Sequence, residues 1–150
     1  MIRKNPSQCY SMSYKSKKAE GLSLTFKEEF DLSKLFISSY ADNKININNT
    51  DYDFPICIFG QKIFEISLKD LSDFTSDLIK YLNSKYFSLN SSYPELILIG
   101  INDYDFKDIL RLRDISEKNK IGLDLMKIGQ ASGTFNFLTL EKREFITIFI

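Results

Sequence analysis

The 150 residues carry 20 basic and 20 acidic side chains and no histidine, with 43% hydrophobic and 14% aromatic content. That balance excludes a disordered chain and argues against a dedicated nucleic-acid binder, which carries a clear basic excess. The missing imidazole excludes Ser-His-Asp and Cys-His catalysis and most zinc or non-haem iron sites.

One domain is expected over residues 1–150, with residues 1–8 loose at its start. Cys9 to Ser16 alternates weakly through Tyr10, Met12 and Tyr14. Leu22, Leu24 and Phe26 alternate with Ser23, Thr25 and Lys27, so the chain is expected to open with an antiparallel pair. Asp31 can cap a short helix marked by Leu32, Leu35, Phe36 and Tyr40. Ala41 to Asp53 holds four asparagines and reads as a loop, with room for a short edge strand around Ile45 and Ile47.

The most legible stretch runs from Phe54 to Leu82. Phe54-Pro55-Ile56-Cys57-Ile58-Phe59 is an apolar strand, Gly60-Gln61 breaks it, and Lys62 to Leu68 resumes with alternation. Together they read as a β-hairpin. Pro55 lacks an N–H and fits the start of its strand. Leu71, Phe74, Leu78 and Leu82 then change the period to that of an amphipathic helix, with Ser67 as its expected cap.

Asn83 to Pro94 is expected to be a connection. Leu96 to Ile101 is a continuous apolar run, as for a strand buried on both faces. Ile109–Ile115 and Ile121–Ile128 alternate and read as a hairpin around Ser116–Lys120. Gly129 to Gly133 is a break, which lacks the spacing of a phosphate-cradling loop. Thr134–Leu138 reads as a strand. Residues 140–150 fit a helix somewhat better than a strand. The architecture expected is α+β: a mostly antiparallel sheet of five to seven strands with two or three helices packed on it, on one face.

Three groups of residues suggest chemistry. Asp51-Tyr52-Asp53 recurs as Asp103-Tyr104-Asp105, each followed by Phe. Tyrosine gives contact area and aspartate complements Lys or Arg, so these six are the candidate partner-binding set. Asp103, Asp105 and Asp108 lack the glycine and distal glutamate of a calcium loop, and no metal or cofactor is expected. Asp105-Phe106-Lys107 matches a bare tripeptide of metal-dependent nucleases and supports a hydrolase only as an alternative. Tyr10 to Lys18 sets aromatics beside positive charge, the combination that binds single-stranded nucleic acid, and forms the other alternative.

Charge is uneven: residues 41–114 hold eight basic and twelve acidic groups, so an electrostatic partner would meet the negative middle. No leader and no apolar run near 18 residues is read, so a cytoplasmic protein without a membrane span is expected. In size, neutrality, Asn/Lys/Ile content and acidic middle the chain resembles the immunity proteins that neutralise bacterial toxins. The resemblance implies a non-enzymatic inhibitor whose partner is another protein, such as a basic toxin domain.

Overall fold

The computed structural model describes residues 11–13, 23–29 and 34–150. Strands β1 (Ser11–Ser13) and β2 (Ser23–Glu29) come first. A separate sheet is built from β3 (Ile37–Tyr40), β4 (Lys44–Ile47) and β5 (Thr50–Asp53). The main sheet takes up β6 (Ile56–Phe59) and β7 (Lys62–Ile66). A 3-10 turn (Leu71–Asp73) and α1 (Ser76–Asn90) lead to β8 (Leu96–Gly100), α2 (Phe106–Asn119), β9 (Gly122–Met126), α3 (Ile128–Leu140) and β10 (Phe145–Phe149). The main sheet has the order β1-β2-β7-β6-β10-β8-β9. It is antiparallel from β1 to β10 and parallel across β10, β8 and β9. The fold is α+β, as expected.

The opening antiparallel pair, the hairpin at Gly60 and the buried strand after Pro94 all form where the residues place them. Gly60 has φ +60, which suits glycine in the turn. Residues 1–8, Tyr10, Tyr14, Lys15, Lys17, Lys18, Asp31 and Leu32 lie outside the described residues.

Several elements differ from expectation, among them Thr134–Leu138, which belongs to helix α3 and is not a strand. Leu35 and Ile37 are buried while Phe36 and Ser38 are exposed, a period of two, so β3 replaces the helix expected at residues 32–40. The asparagine-rich loop is a hairpin: Asn48 and Asn49 have φ 49 and 70, the paired positive values of a two-residue turn that matches strand twist. Asp105 and Asp108 cap each other across the first turn of α2, so Ile109–Ile115 is helix, not strand. Arg111, read as a strand position, instead donates to the carbonyls of Phe74 at 2.7 Å and of Leu71, closing the 3-10 turn.

The helix expected from Leu71 begins later, with Thr75 rather than Ser67 as its cap, and runs on through Tyr86 to Asn90. Ser91, with φ 60, ends it inside the presumed connection. Residues 145–149 form a strand, not the favoured helix. All five side chains are buried, which a strand sandwiched on both faces satisfies and a surface helix does not.

The parallel half explains why helices lie on both faces rather than one. Strand–helix–strand crossovers are right-handed. The step β8–α2–β9 moves outward by one strand and the step β9–α3–β10 moves back by two, so the two helices must cover opposite faces. Leu112 and Ile115 accordingly pack with α1, Ile97 and Ile99. Ala131 and Phe135 pack with the small sheet, Leu98 and Phe149.

Cys57 is a free, buried thiol in the first of these cores, and burial pushes its pKa up. Burial also pushes Tyr81 up to about 12. Tyr86 rises too, from burial first and then from its hydrogen bond to Glu144. The folded chain therefore keeps both protons at pH values where unfolded tyrosine, near 10, has lost them. Their contribution to stability is complete below about pH 10 and is lost as pH rises through the folded values. Urea midpoints should fall between pH 9 and pH 12, and Tyr81→Phe should flatten that slope.

Candidate partner-docking surface

Helix α3 contains no charged residue from Ile128 to Leu140. Its inner face, Ile128, Ala131, Ser132, Phe135 and Leu138, is buried. Its outer face presents Gly129, Gln130, Gly133, Phe137 and Leu140, with Phe137 58% and Leu140 64% exposed. An outward helix face ordinarily carries charge, as α2 does with Lys107, Arg113, Asp114, Glu117 and Lys118.

Two glycines smooth the face for different reasons. A Cβ on Gly129 would lie 2.6 Å from the Tyr40 hydroxyl, so the chain's own packing uses that space. A Cβ on Gly133 would meet nothing within 4 Å among the described residues. A mid-helix glycine costs about 0.8–1.0 kcal/mol relative to alanine, and no contact among the described residues offsets it here. Gly133→Ala should therefore stabilise the isolated protein by about 0.5–1 kcal/mol, read as a raised urea midpoint.

The face opens onto grooves on either side. One is lined by Leu125, Met126, Gly129, Gly133, Thr134 and Phe137. The other runs along Ser38, Ser39, Tyr40, Gly129, Gly133 and Asn136. Beyond β9 a third groove is lined by Ile109, Leu112, Arg113, Leu123 and Leu125. Helix α2 also exposes Phe106 and Leu110. The result is a strip from Tyr40 over α3 and β9 to α2, uncharged along α3 and carrying Arg113 and Asp124 at its far groove. Its exposed apolar side chains, Phe137 and Leu140, make it the candidate docking surface.

The expected partner-binding set is placed differently. Tyr52 is 2% exposed and belongs to the core between α3 and the small sheet, so it is a packing residue and leaves the set. Its alternation within β5 turns Asp51 and Asp53 outward. Asp51 accepts from Asn46 Nδ2 at 2.9 Å and lies 3.9 Å from Lys44 Nζ. Asp105 caps α2, and the ring of Tyr104 lies under Lys127, whose Nζ is 5.9 Å from its centroid. Asp103 is exposed.

The loop after β8 meets the β3–β4 turn, not the Asp51–Asp53 strand. Asn102 donates to Asp42 at 2.9 Å and accepts from the Ile128 N–H at 3.2 Å, while its carbonyl accepts from Lys127 Nζ. Among the described residues no cluster of three or more His, Cys, Asp or Glu is arranged to hold a metal ion.

The carboxyl ends of parallel strands are where open α/β sheets admit ligands. Here that place is filled. A Cβ on Gly100 would lie 2.7 Å from the Phe149 ring and 2.9 Å from Ala131, and Phe54 stacks on Phe149 at 5.5 Å. The α3 face was missed in the sequence because Gly129–Gly133 read as a break. The signal available was the absence of charge over thirteen residues.

Comparison with known proteins corrects the functional expectation. A Drosophila melanogaster protein named NADH dehydrogenase [ubiquinone] 1 alpha subcomplex assembly factor 3 is 26% identical over 121 residues. The match covers 79% of this chain and 59% of that relative, so the chain spans well under two thirds of its length. A Francisella tularensis protein named 13 kDa major membrane protein is 24% identical over 127 residues, covering 85% of this chain and 99% of the relative.

In structure, a Mth938-like domain from Bordetella pertussis superposes with a TM-score of 0.53 at 15% identity, covering 77% of this chain and 85% of that one. The likeness to a relative named as an assembly factor overturns the toxin-neutralising role, and it carries neither alternative; the structural likeness bears on the fold alone. Among the described residues no helix is long and apolar enough to cross a membrane. A family model described as protein of unknown function (DUF498/DUF598) matches residues 37–150, and the chain belongs to that family.

Proposed function

We propose that this chain is a non-catalytic assembly factor, which binds subunits of an NADH dehydrogenase type of membrane complex before they are joined. The observation that carries this reading is the charge-free outer face of α3, with a glycine at 133 that no packing among the described residues requires. A smooth face of small and apolar residues lets another polypeptide approach closely and be desolvated at little cost. The name of the Drosophila relative supplies the kind of partner, and the name of the Francisella relative agrees with work at a membrane. The packed carboxyl end of the parallel strands supports a binding role over a catalytic one.

Affinity purification from solubilised membranes tests the reading. The tagged wild-type chain should retain NADH dehydrogenase subunits. The double variant Phe137→Asp, Leu140→Asp should retain at least tenfold less. Both side chains are exposed, so the melting temperature should stay within a few degrees. Absence of those subunits from the wild-type eluate, or equal retention by the variant, would overturn it.

A further inference from the structure

Strand β9 ends the main sheet, with β8 as its single neighbour among the described residues. The Met126 carbonyl accepts from the Ile101 N–H on the β8 side at 3.0 Å. Backbone groups alternate sides along a strand, so Gly122, Asp124 and Met126 turn theirs inward. Leu123 and Leu125 then turn both N–H and C=O toward the free edge.

The small sheet manages its edges. Asn136 of α3 covers β3 as a strand would, its Oδ1 accepting from the Ile37 N–H at 2.8 Å and its Nδ2 donating to the Ile37 carbonyl at 2.9 Å. Strand β5 carries the exposed aspartates 51 and 53. Strand β9 has no proline, lysine or bulge, and its one charge is Asp124. No cation lies within salt-bridge distance of Asp124 among the described ion pairs.

That charge selects the occupant. A second copy pairing about a two-fold axis, with all four edge groups bonded, must place Asp124 opposite Asp124. Its inward backbone makes this a non-hydrogen-bonded pair, where facing Cα atoms are only about 4.5 Å apart. Like charges directly opposite are destabilising there, whereas a lysine or arginine in the same place is favoured.

The flanking surface is apolar on both faces of the edge. Leu123 and Leu125 share the α2 side with Ile109 and Leu112, and Met126 and Phe137 line the α3 side. We infer that β9 receives an extended segment of a partner protein as an added strand, with a basic residue facing Asp124 and apolar residues beside it. This rests on the docking reading above and names the mode of binding at the same surface.

The probe is an eight-residue acetylated peptide of alternating valine and threonine with one central lysine, compared with the same peptide bearing glutamate there. Amide hydrogen exchange is followed on the full chain. The lysine peptide should slow exchange at Leu123 and Leu125 at least tenfold and bind at least fivefold more tightly than the glutamate peptide. Asp124→Lys should invert that order.

No protection at millimolar peptide, or an order indifferent to Asp124→Lys, would overturn the inference. So would protection in the protein alone that grows with its concentration, which is self-pairing. The two readings separate cleanly. Subunit retention that depends on Phe137 without edge protection removes the added strand and leaves the docking face. Edge protection with retention indifferent to Phe137 supports the added strand and removes the assembly-factor face.

Discussion

Phe149→Ala should lower the unfolding free energy by about 3–5 kcal/mol, the cost of emptying a fully buried aromatic site. The side chain is 0% exposed. It stacks on Phe54 with 15° between the ring planes and packs in the core with α3 and the small sheet. Its strand is paired on both sides, antiparallel to β6 and parallel to β8, so the backbone cannot close the void. Domains of this size hold roughly 5–15 kcal/mol in total, so one substitution removes a large share. The urea midpoint should fall with its slope unchanged. A loss under about 1 kcal/mol would mean that the ring is not the filler described.

Gly100→Ala should cost about 1–3 kcal/mol, by overpacking rather than by emptying. The added Cβ would lie 2.7 and 2.8 Å from two Phe149 ring carbons and 2.9 Å from the Ala131 Cβ. All three residues are buried, and none of the atoms is the free end of a flexible chain. The two substitutions act on one space, so they should not add. In the double variant the new methyl enters the void left by the ring, and the loss should be smaller than the sum by more than about 0.5 kcal/mol. Strict additivity would separate the two residues.

Local signals were readable where one element explains its own pattern. The Gly60 hairpin needs only two apolar runs and a residue that accepts a positive φ. The run Leu96–Gly100 is apolar throughout because helices cover both its faces. Three readings failed where distant contacts override local preference. Gly129 and Gly133 break a helix on propensity alone, yet α3 forms because Ile128, Ala131, Phe135 and Leu138 find a core to fill. Ile109–Ile115 alternates by accident of Arg111, whose partners lie about forty residues earlier. Residues 145–149 have β-branched content that fits a strand, and their place between β6 and β8 decides the matter.

The site was less legible than the fold. The six residues chosen for charge and aromatic rings include one core side chain, Tyr52, and one helix cap, Asp105. Aspartate at a strand end or a helix start has a structural use of its own, so its abundance says little about partners. The α3 face carries its message in missing charge, which becomes informative only once the helix is known to face outward.

Site-specific photo-crosslinking tests the docking claim most directly. A benzophenone amino acid replaces Phe137 on α3 or, as a control, Phe87 on α1, both of which are exposed. In native membranes position 137 should give covalent adducts with NADH dehydrogenase subunits and position 87 should not. Adducts from position 87 with none from position 137 would contradict the assignment of the α3–β9 surface.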